Sequence, residues 1–240
     1  MRKNYEFKWD DFSPQLYFES NYQFLHQDDK RILKYFYTFL GGKQFYNTML
    51  DVGSGSNLLP FLTAAPFVNR VTLSDFAAVN CDWLKNQVGS TLFERNWSEA
   101  LEFLERLSSA YNRTEILKRI ENVSVQEKSV FDLPNNQFDL CTMFFCIESV
   151  TNSATEFALG IDQFLGAVRS QGMFFAVMMR NSKGYKVGEI QFPAYKFSIE
   201  ELQSLVSQKS EDFKIIELDA TPPLIRDGFD GFVVIQGNVK

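Results

Sequence analysis

A glycine turn between an apolar run and a helical run is the feature that most narrows the possible folds of this chain. Residues 50–61 read LDVGSGSNLLPF, with glycines at positions 53 and 55 and serines at positions 54 and 56. Glycine adopts backbone conformations that other residues avoid, so such a turn lets the main chain approach a ligand closely. A strand that ends in this turn and continues into a helix predicts an α/β unit with a ligand at the turn.

Short β-rich runs alternate with helical runs through most of the chain, which is typical of a parallel sheet. The predicted strands are 48–52, 70–74, 122–126, 138–144, 172–179, 212–218 and 229–236. The predicted helices are 28–40, 57–65, 77–88, 97–120, 154–169 and 198–208. The last two strands have no helix between them, so we expect an antiparallel pair.

The N-terminal helix has recognisable ends. Asp28 and Asp29 can cap its start, and Gly41 and Gly42 can end it. We expect a single domain over residues 1–240, in which residues 1–45 form a cap over the active site and residues 46–240 form the α/β core.

Composition excludes several classes of protein. The net charge of −6 and the pI near 5.0 argue against a nucleic-acid partner. The three cysteines show no CxxC spacing, so neither a disulfide framework nor a metal site is expected. The N-terminus lacks the apolar segment of a signal peptide, and the longest apolar run, residues 173–179, is too short to span a bilayer. We therefore expect a cytoplasmic enzyme without a membrane partner.

Three ligands compete for the glycine turn. A phosphate-binding loop needs a lysine after the last glycine, and residues 56–58 (SNL) supply none. A dinucleotide fingerprint needs a third glycine where this chain has Leu58. S-adenosyl-L-methionine needs an acidic residue before the glycines, here Asp51, and one at the end of the second strand, here Asp75, where a carboxylate can accept both ribose hydroxyls. Alternatively, the glycines only permit a tight turn and Asp75 only caps the next helix.

Four stretches in collinear order resemble one family of methyltransferases. They are LYFESNYQF, LDVGSGS, SDFAAVNCDWL, and FFCIESV followed by GYKVGEIQF. They are similar to motifs of the family of phenylethanolamine, nicotinamide and indolethylamine or thioether methyltransferases. The resemblance runs from about residue 11 to about residue 235. It implies a Rossmann-like class I methyltransferase fold: a mostly parallel seven-stranded sheet with an antiparallel C-terminal strand pair and an N-terminal helical cap. It also implies a monomer.

The turn and the resemblance together predict a donor site. Tyr17 and Tyr22 would close over the methyl donor, Asp75 would hold its ribose, and Ser129 would flank its adenine unless Asp132 takes that part. The full predicted set is Tyr17, Tyr22, Gly53, Ser54, Gly55, Asn57, Asp75, Phe76, Asn80, Ser129, Val130 and Phe144.

The chain also departs from the family pattern. Ser56 replaces a proline, and Leu59 replaces an aromatic residue that normally touches the donor. Ser182 stands where an adrenaline-forming enzyme carries a glutamate, so the resemblance does not imply a catecholamine substrate.

Methyl transfer to an amine needs alignment, exclusion of water and a neutral nitrogen. The resemblance implies that Glu148 and Tyr185 face the acceptor, and the carboxylate can accept its proton directly or through water. Aromatic faces also favour cations. The predicted catalytic residues are Glu148, Tyr185 and Tyr22, and the predicted substrate contacts are Tyr17, Phe145, Glu148, Tyr185, Asp227 and Asp230. The alternatives are a solvated loop carboxylate at position 148, core aromatic residues at 144, 145 and 185, and a purely solvated loop at 227–230.

The leading functional hypothesis is an S-adenosyl-L-methionine-dependent N-methyltransferase of secondary metabolism that acts on a small-molecule amine, guanidine or heteroaromatic nitrogen. The same donor site would serve an oxygen or sulfur acceptor. A third hypothesis is a methyltransferase-like binding protein without catalysis.

Overall fold

A seven-stranded sheet forms the centre of the molecule. The computed structural model describes residues 3–41, 45–90, 93, 97–222 and 228–240. The strands of the sheet are β1 (Tyr46–Val52), β2 (Val68–Asp75), β3 (Val123–Glu127), β4 (Phe138–Phe144), β5 (Val168–Arg180), β8 (Asp212–Asp219) and β9 (Gly231–Asn238). Their order is β3-β2-β1-β4-β5-β9-β8. The first five pair in parallel, and β9 runs antiparallel to both β5 and β8. The predicted fold class, including the antiparallel C-terminal pair, is confirmed.

Helices cover both faces of this sheet. They are α1 (Pro14–Asn21), α2 (Gln27–Leu40), α3 (Leu59–Ala64), α4 (Ala78–Val88), α5 (Ser98–Leu107), α6 (Arg113–Arg119), α7 (Ala154–Ala167) and α8 (Ile199–Ser207). The sequence pattern found most of these within a few residues. The single helix predicted over 97–120 is wrong: Ser108 is extended and Asn112 starts a new helix, its side chain accepting the Glu115 N–H at 3.3 Å.

Two elements were not predicted. Helix α1 begins at Pro14 with Ser13 as its N-cap, a Ser-Pro signal that was present in the sequence. A short hairpin joins β6 (Tyr185–Val187) to β7 (Ile190–Phe192) through a two-residue turn in which Gly188 has φ +57°. Strands of three residues are too short to show a period of two, so the pattern could not reveal them.

Helix α2 starts and ends largely as its sequence predicts. Asp29 accepts the backbone N–H of His26 at 3.1 Å, and Gly41 ends the helix with φ +69°. Asp28 instead binds the backbone N–H and the hydroxyl of Thr221, at 2.9 and 2.7 Å. Gly42 lies outside the described residues.

The sheet places three strand ends side by side. Strand β4 is buried along its whole length, so both of its faces are covered by core side chains. The strand order reverses between β1 and β4, and ligands of open α/β sheets bind in the crevice at such a point, beyond the carboxyl ends of the strands. The glycine turn follows β1, Asp75 ends β2 and Phe144 ends β4. None of the helices in the described parts of the chain has both the length and the apolar character that crossing a membrane requires.

Candidate active site

The glycine turn has the backbone geometry that its sequence predicts. Gly53 and Gly55 have φ values of +64° and +53°, a region that side chains with a Cβ rarely adopt. The backbone N–H of Ser54 donates to Ser74 O at 2.9 Å, and the N–H of Gly55 donates to the Asp75 carboxylate at 2.9 Å. The turn after β1 is therefore tied directly to the end of β2.

The buried side chain of Asp51 connects the turn to strand β4 through hydrogen bonds. Its carboxylate accepts the hydroxyls of Ser54 and Thr142, both at 2.6 Å, and its side chain is fully buried. Burial raises the pKa of Asp51 to about 7, although the two hydroxyl bonds oppose the shift. Asp51 thus organises the loop from inside the protein and does not reach a cavity surface.

Asp75 is held by three donors of its own neighbourhood. Besides Gly55, it accepts the N–H of Ala77 at 2.9 Å and the side-chain amide of Asn80 at 3.0 Å. Burial raises its pKa, and these hydrogen bonds act in the opposite direction. The predicted helix-capping role and a ligand contact are therefore compatible in one residue, since a carboxylate has about four acceptor sites.

A cleft of about 770 Å³, here called the central cleft, opens above these strand ends. Every residue predicted to contact the donor lines it: Tyr17, Tyr22, Gly53, Ser54, Gly55, Asn57, Asp75, Phe76, Asn80, Ser129, Val130 and Phe144. Phe145 and Tyr185 line it as well. The structure thus brings together residues from positions 17 to 185 of the chain.

Two buried amides in the central cleft have unused hydrogen-bonding atoms. Asn57 accepts the N–H of Leu59 at 3.0 Å, but its Nδ2 finds no acceptor among the described residues. Asn80 donates to Asp75, but its Oδ1 finds no donor among them. Buried polar atoms without partners are costly, so one donor and one acceptor are available here to a bound molecule.

The structure separates the two candidates for the end of the cleft near β3. Ser129 lines the central cleft. Asp132 points to solvent with 86% of its side chain exposed, 3.8 Å from Lys128 Nζ. The geometry therefore favours Ser129 over Asp132 at this position.

A second cavity of about 830 Å³, here called the side cavity, adjoins the central cleft. The two share three aromatic residues, Tyr17, Tyr22 and Phe145. Phe145 has φ +59°, an unusual conformation for a bulky residue, and its N–H donates to Val177 O at 2.7 Å. Strained backbone of this kind concentrates at functional sites.

Two of the predicted acceptor carboxylates, Glu148 and Asp230, are not among the residues that line the two cavities. Glu148 is completely buried, and its Oε1 accepts the backbone N–H of Met179 at 3.0 Å. It lies in a 3₁₀ turn, Ile147–Ser149, and not in a solvated loop. The predicted direct contact with the acceptor is therefore replaced by a contact with the strand that walls the side cavity.

The carboxylate of Asp230 binds other protein groups, whereas the sequence predicted a contact with the substrate. Its carboxylate binds Arg180 Nε at 2.7 Å and the Asn181 amide at 2.8 Å, because Arg180 gathers acidic residues from the neighbouring strands β8 and β9. Asp230 therefore fixes the residues just before β9 through Arg180 and Asn181. Asp227 lies outside the described residues.

The N-terminal segment covers the mouth of the central cleft. Asn4, Trp9 and Phe12 line it, although sequence reasoning did not single them out. The Trp9 ring stacks on Phe192 of the hairpin with centroids 5.2 Å apart. The Asn4 side chain donates to Val150 O at 2.8 Å. Residues 1–45 were expected to form a cap, and the high aromatic content of the chain was a further signal in the sequence for these contacts.

Ser56, which departs from the family pattern, holds this cover in place. Its buried hydroxyl donates to Pro14 O at 2.8 Å, which ties the first residue of α1 to the glycine turn. Leu59 is buried in the hydrophobic core and does not line the cleft. Ser56 therefore attaches the helix that carries Tyr17 to the glycine turn, and Leu59 packs in the hydrophobic core.

Ser56→Ala should lower the free energy of unfolding by about 1 kcal/mol, since it removes one buried hydrogen bond. In a chain of this size the melting temperature should fall by about 2–4 °C, measured by thermal unfolding. Ser20→Ala is the control, because the Ser20 hydroxyl only bonds back within the exposed face of α1. Equal melting temperatures for the two variants would contradict this role of Ser56.

Comparison with known proteins identifies relatives over most of the chain. A model of the NNMT/PNMT/TEMT family matches residues 3–224. Phenylethanolamine N-methyltransferase of Macaca mulatta is 22% identical over 211 residues, covering 80% of this chain and 72% of that protein. The enzyme of Sus scrofa is 22% identical over 209 residues with the same coverage.

Solved structures share the fold. The N-methyltransferase NodS of Bradyrhizobium japonicum WM9, in complex with S-adenosyl-L-homocysteine, has a TM-score of 0.53 at 12% identity, covering 92% of this chain and 94% of that chain. The [4+2]-cyclase SpnF has a TM-score of 0.55 at 12% identity, covering 89% and 82%. Similarity at this level concerns the fold alone. The match of the family model over nearly the whole chain decides the family: this chain belongs to the NNMT/PNMT/TEMT family and is an S-adenosyl-L-methionine-dependent methyltransferase.

Proposed function

We propose that this protein transfers a methyl group from S-adenosyl-L-methionine to the nitrogen of a small-molecule amine-type acceptor. The observation that carries the proposal is the pair of adjoining cavities: a central cleft at the strand ends with the glycine turn and Asp75, and a side cavity behind a shared wall of Tyr17, Tyr22 and Phe145. A methyl donor and its acceptor need two such spaces in contact.

The residues of the central cleft fit the donor. Asp75 would accept one ribose hydroxyl at its remaining acceptor site, and the unused Oδ1 of Asn80 would accept the other. The unused Nδ2 of Asn57 would donate to its carboxylate. Phe76, half exposed at the cleft wall, and Ser129 and Val130 would flank its base, and Phe144 would contact it from β4.

The chemistry then depends on orientation and on a proton. When bound, the donor would supply a methyl group on a positively charged sulfur. The lone pair of the acceptor nitrogen would form the new N–C bond, and the electron pair of the C–S bond would return to sulfur. The proton on nitrogen would pass to a base. The rings of three tyrosines, Tyr17, Tyr22 and Tyr185, would exclude water from the reacting atoms and favour cationic groups. The ring centroids of Tyr17 and Tyr185 lie 5.8 Å apart.

Glu148 has a positioning role in this proposal. Its buried carboxylate holds the N–H of Met179, and Met179 lines the side cavity. The names of the relatives support nitrogen as the acceptor atom, since both the mammalian enzymes and NodS are N-methyltransferases. The cap over the cleft, residues 1–45, would form part of one methyltransferase domain.

The acceptor atom can be tested with isotopically labelled S-adenosyl-L-methionine and matched panels of amines, phenols and thiols. We expect label in one or more amines, detected by mass spectrometry of the products. Turnover of phenols or thiols alone would overturn the nitrogen assignment and favour an O- or S-methyltransferase.

A further inference from the structure

We infer that Asp29 is the residue that selects the acceptor: its carboxylate binds the ammonium group of an aryl- or alkylamine inside the side cavity. This inference rests on the proposed function and names the substrate class for the same site. It also replaces the role that the sequence assigned to Glu148, Asp227 and Asp230.

The side cavity has the composition of an amine pocket. One part of its wall is apolar, formed by Phe145, Met179, Pro222 and Phe232. The other part is polar and comes from α1 and the start of α2: Asn21, His26, Gln27, Asp28 and Asp29. An apolar wall facing a carboxylate fits a molecule with a hydrocarbon or aromatic body and a cationic end.

The two carboxylates of this wall differ in what they already bind. Asp28 already accepts three hydrogen bonds, from Arg31 Nη1 at 3.0 Å and from both the N–H and the hydroxyl of Thr221. Asp29 accepts one hydrogen bond from the described residues, the N–H of His26 at its Oδ2. Its other oxygen is therefore available to a donor in the cavity.

The surroundings of Asp29 favour a cationic ligand. Burial raises its pKa to about 7, and the neighbouring charge of Asp28 adds to the shift, while the His26 hydrogen bond and Lys30 oppose it. The first turn of a helix ordinarily stabilises a carboxylate, so here burial outweighs the helix. A bound ammonium group would restore the ionised form that burial disfavours. Among the described lining residues, only His26 can carry a positive charge.

Position makes this carboxylate suitable for transfer. The side cavity meets the central cleft only across Tyr17, Tyr22 and Phe145 among the described residues. An ammonium group bound at Asp29 lies in the cavity that Tyr17, Tyr22 and Phe145 share with the central cleft, and it can hand a proton to the carboxylate. The neutral nitrogen then has its lone pair free to attack.

The test measures binding of benzylamine, 2-phenylethylamine and tryptamine by calorimetry. Each amine is paired with the alcohol that carries a hydroxyl in place of the amino group. The protein is saturated with S-adenosylhomocysteine at pH 8. The wild type should bind amines at least tenfold more tightly than alcohols. Asp29→Asn keeps an oxygen for the His26 N–H, so the helix cap survives. It should weaken amine binding at least tenfold and leave the alcohols and S-adenosylhomocysteine within twofold.

Two controls separate charge in the cavity from general effects. Glu115→Gln removes a carboxylate from the first turn of α6, exposed and paired with Lys118, and should change nothing. Asp29→Glu should retain part of the preference for amines.

Between pH 8 and pH 6, amine affinity of the wild type should fall as Asp29 takes up a proton, while Asp29→Asn should lose this dependence. The other titratable groups on this wall, His26, Asp28 and the phenols of Tyr17 and Tyr22, are present in both proteins.

The outcomes distinguish the two proposals. If the wild type fails to bind S-adenosylhomocysteine, the donor assignment of the proposed function is wrong. If it binds S-adenosylhomocysteine but shows no preference for amines, or if Asp29→Asn keeps that preference, the role of Asp29 is overturned and the donor assignment stands.

Discussion

Asp75→Ala should weaken S-adenosylhomocysteine binding at least 100-fold in calorimetric titration. The side chain would lose its hydrogen bond to the ribose, and a hydrogen bond to a charged group is worth about 1.5–3 kcal/mol. A 100-fold loss corresponds to about 2.8 kcal/mol, so one bond near the upper end of that range suffices. The turn would loosen as well, because Asp75 also accepts the N–H groups of Gly55 and Ala77.

Asp132→Ala is the matched control for this experiment. Asp132 is a carboxylate between β3 and β4, and 86% of its side chain is exposed. It should bind S-adenosylhomocysteine as the wild type does. Near-ultraviolet circular dichroism should confirm that Asp75→Ala is folded before it is titrated. An affinity within threefold of the wild type in folded Asp75→Ala would remove Asp75 from the donor site.

Gly53→Ala should be the most destabilising single methyl addition in the glycine turn. Its Cβ would collide with the Cys146 side chain, 2.7 Å from the Cys146 Cβ, in addition to the strain of a φ of +64°. Strain of this kind costs about 1–2 kcal/mol and overpacking about 1–3 kcal/mol more. We expect a loss of about 2–5 kcal/mol, measured by chemical unfolding in the absence of ligand.

Gly55→Ala separates strain from collision. Gly55 has a φ of +53°, but its Cβ would meet nothing closer than 3.9 Å, so only the strain should remain. In a Cys146→Gly background, which removes the colliding atoms, Gly53→Ala should cost less than it does in the wild type. Equal costs for Gly53→Ala and Gly55→Ala would show that Cys146 does not constrain the turn.

Much of the fold could be predicted from local patterns because the relevant forces act locally. Alternation of β-rich and helical runs specified the parallel sheet, and the missing helix between the last two strands specified their antiparallel pairing. The pattern failed where a short signal competed with a longer one. Ser108 ended a helix that hydrophobic spacing would have continued, Asn112 started a new one, and three-residue strands left no period to detect.

The site divided along similar lines. The residues that line the central cleft were predictable because the glycines, Asp75 and Phe144 lie at strand ends, and parallel strands bring their carboxyl ends to one edge. The carboxylates that line the side cavity were not. Whether a carboxylate faces a cavity depends on its other partners. Asp230 binds Arg180, and Glu148 accepts the backbone N–H of Met179.

The sequence by itself determined the class of fold, the glycine turn and the family, because backbone preferences and strand order are encoded in residues close together along the chain. Only the tertiary structure decided which side chains share a cavity. It showed Ser56 fastened to Pro14, Ser129 in the cleft in place of Asp132, and Asp29 at the wall of a cavity behind Tyr17 and Tyr22. The reason is physical: burial and hydrogen-bond competition are set by segments that meet only when the chain has folded.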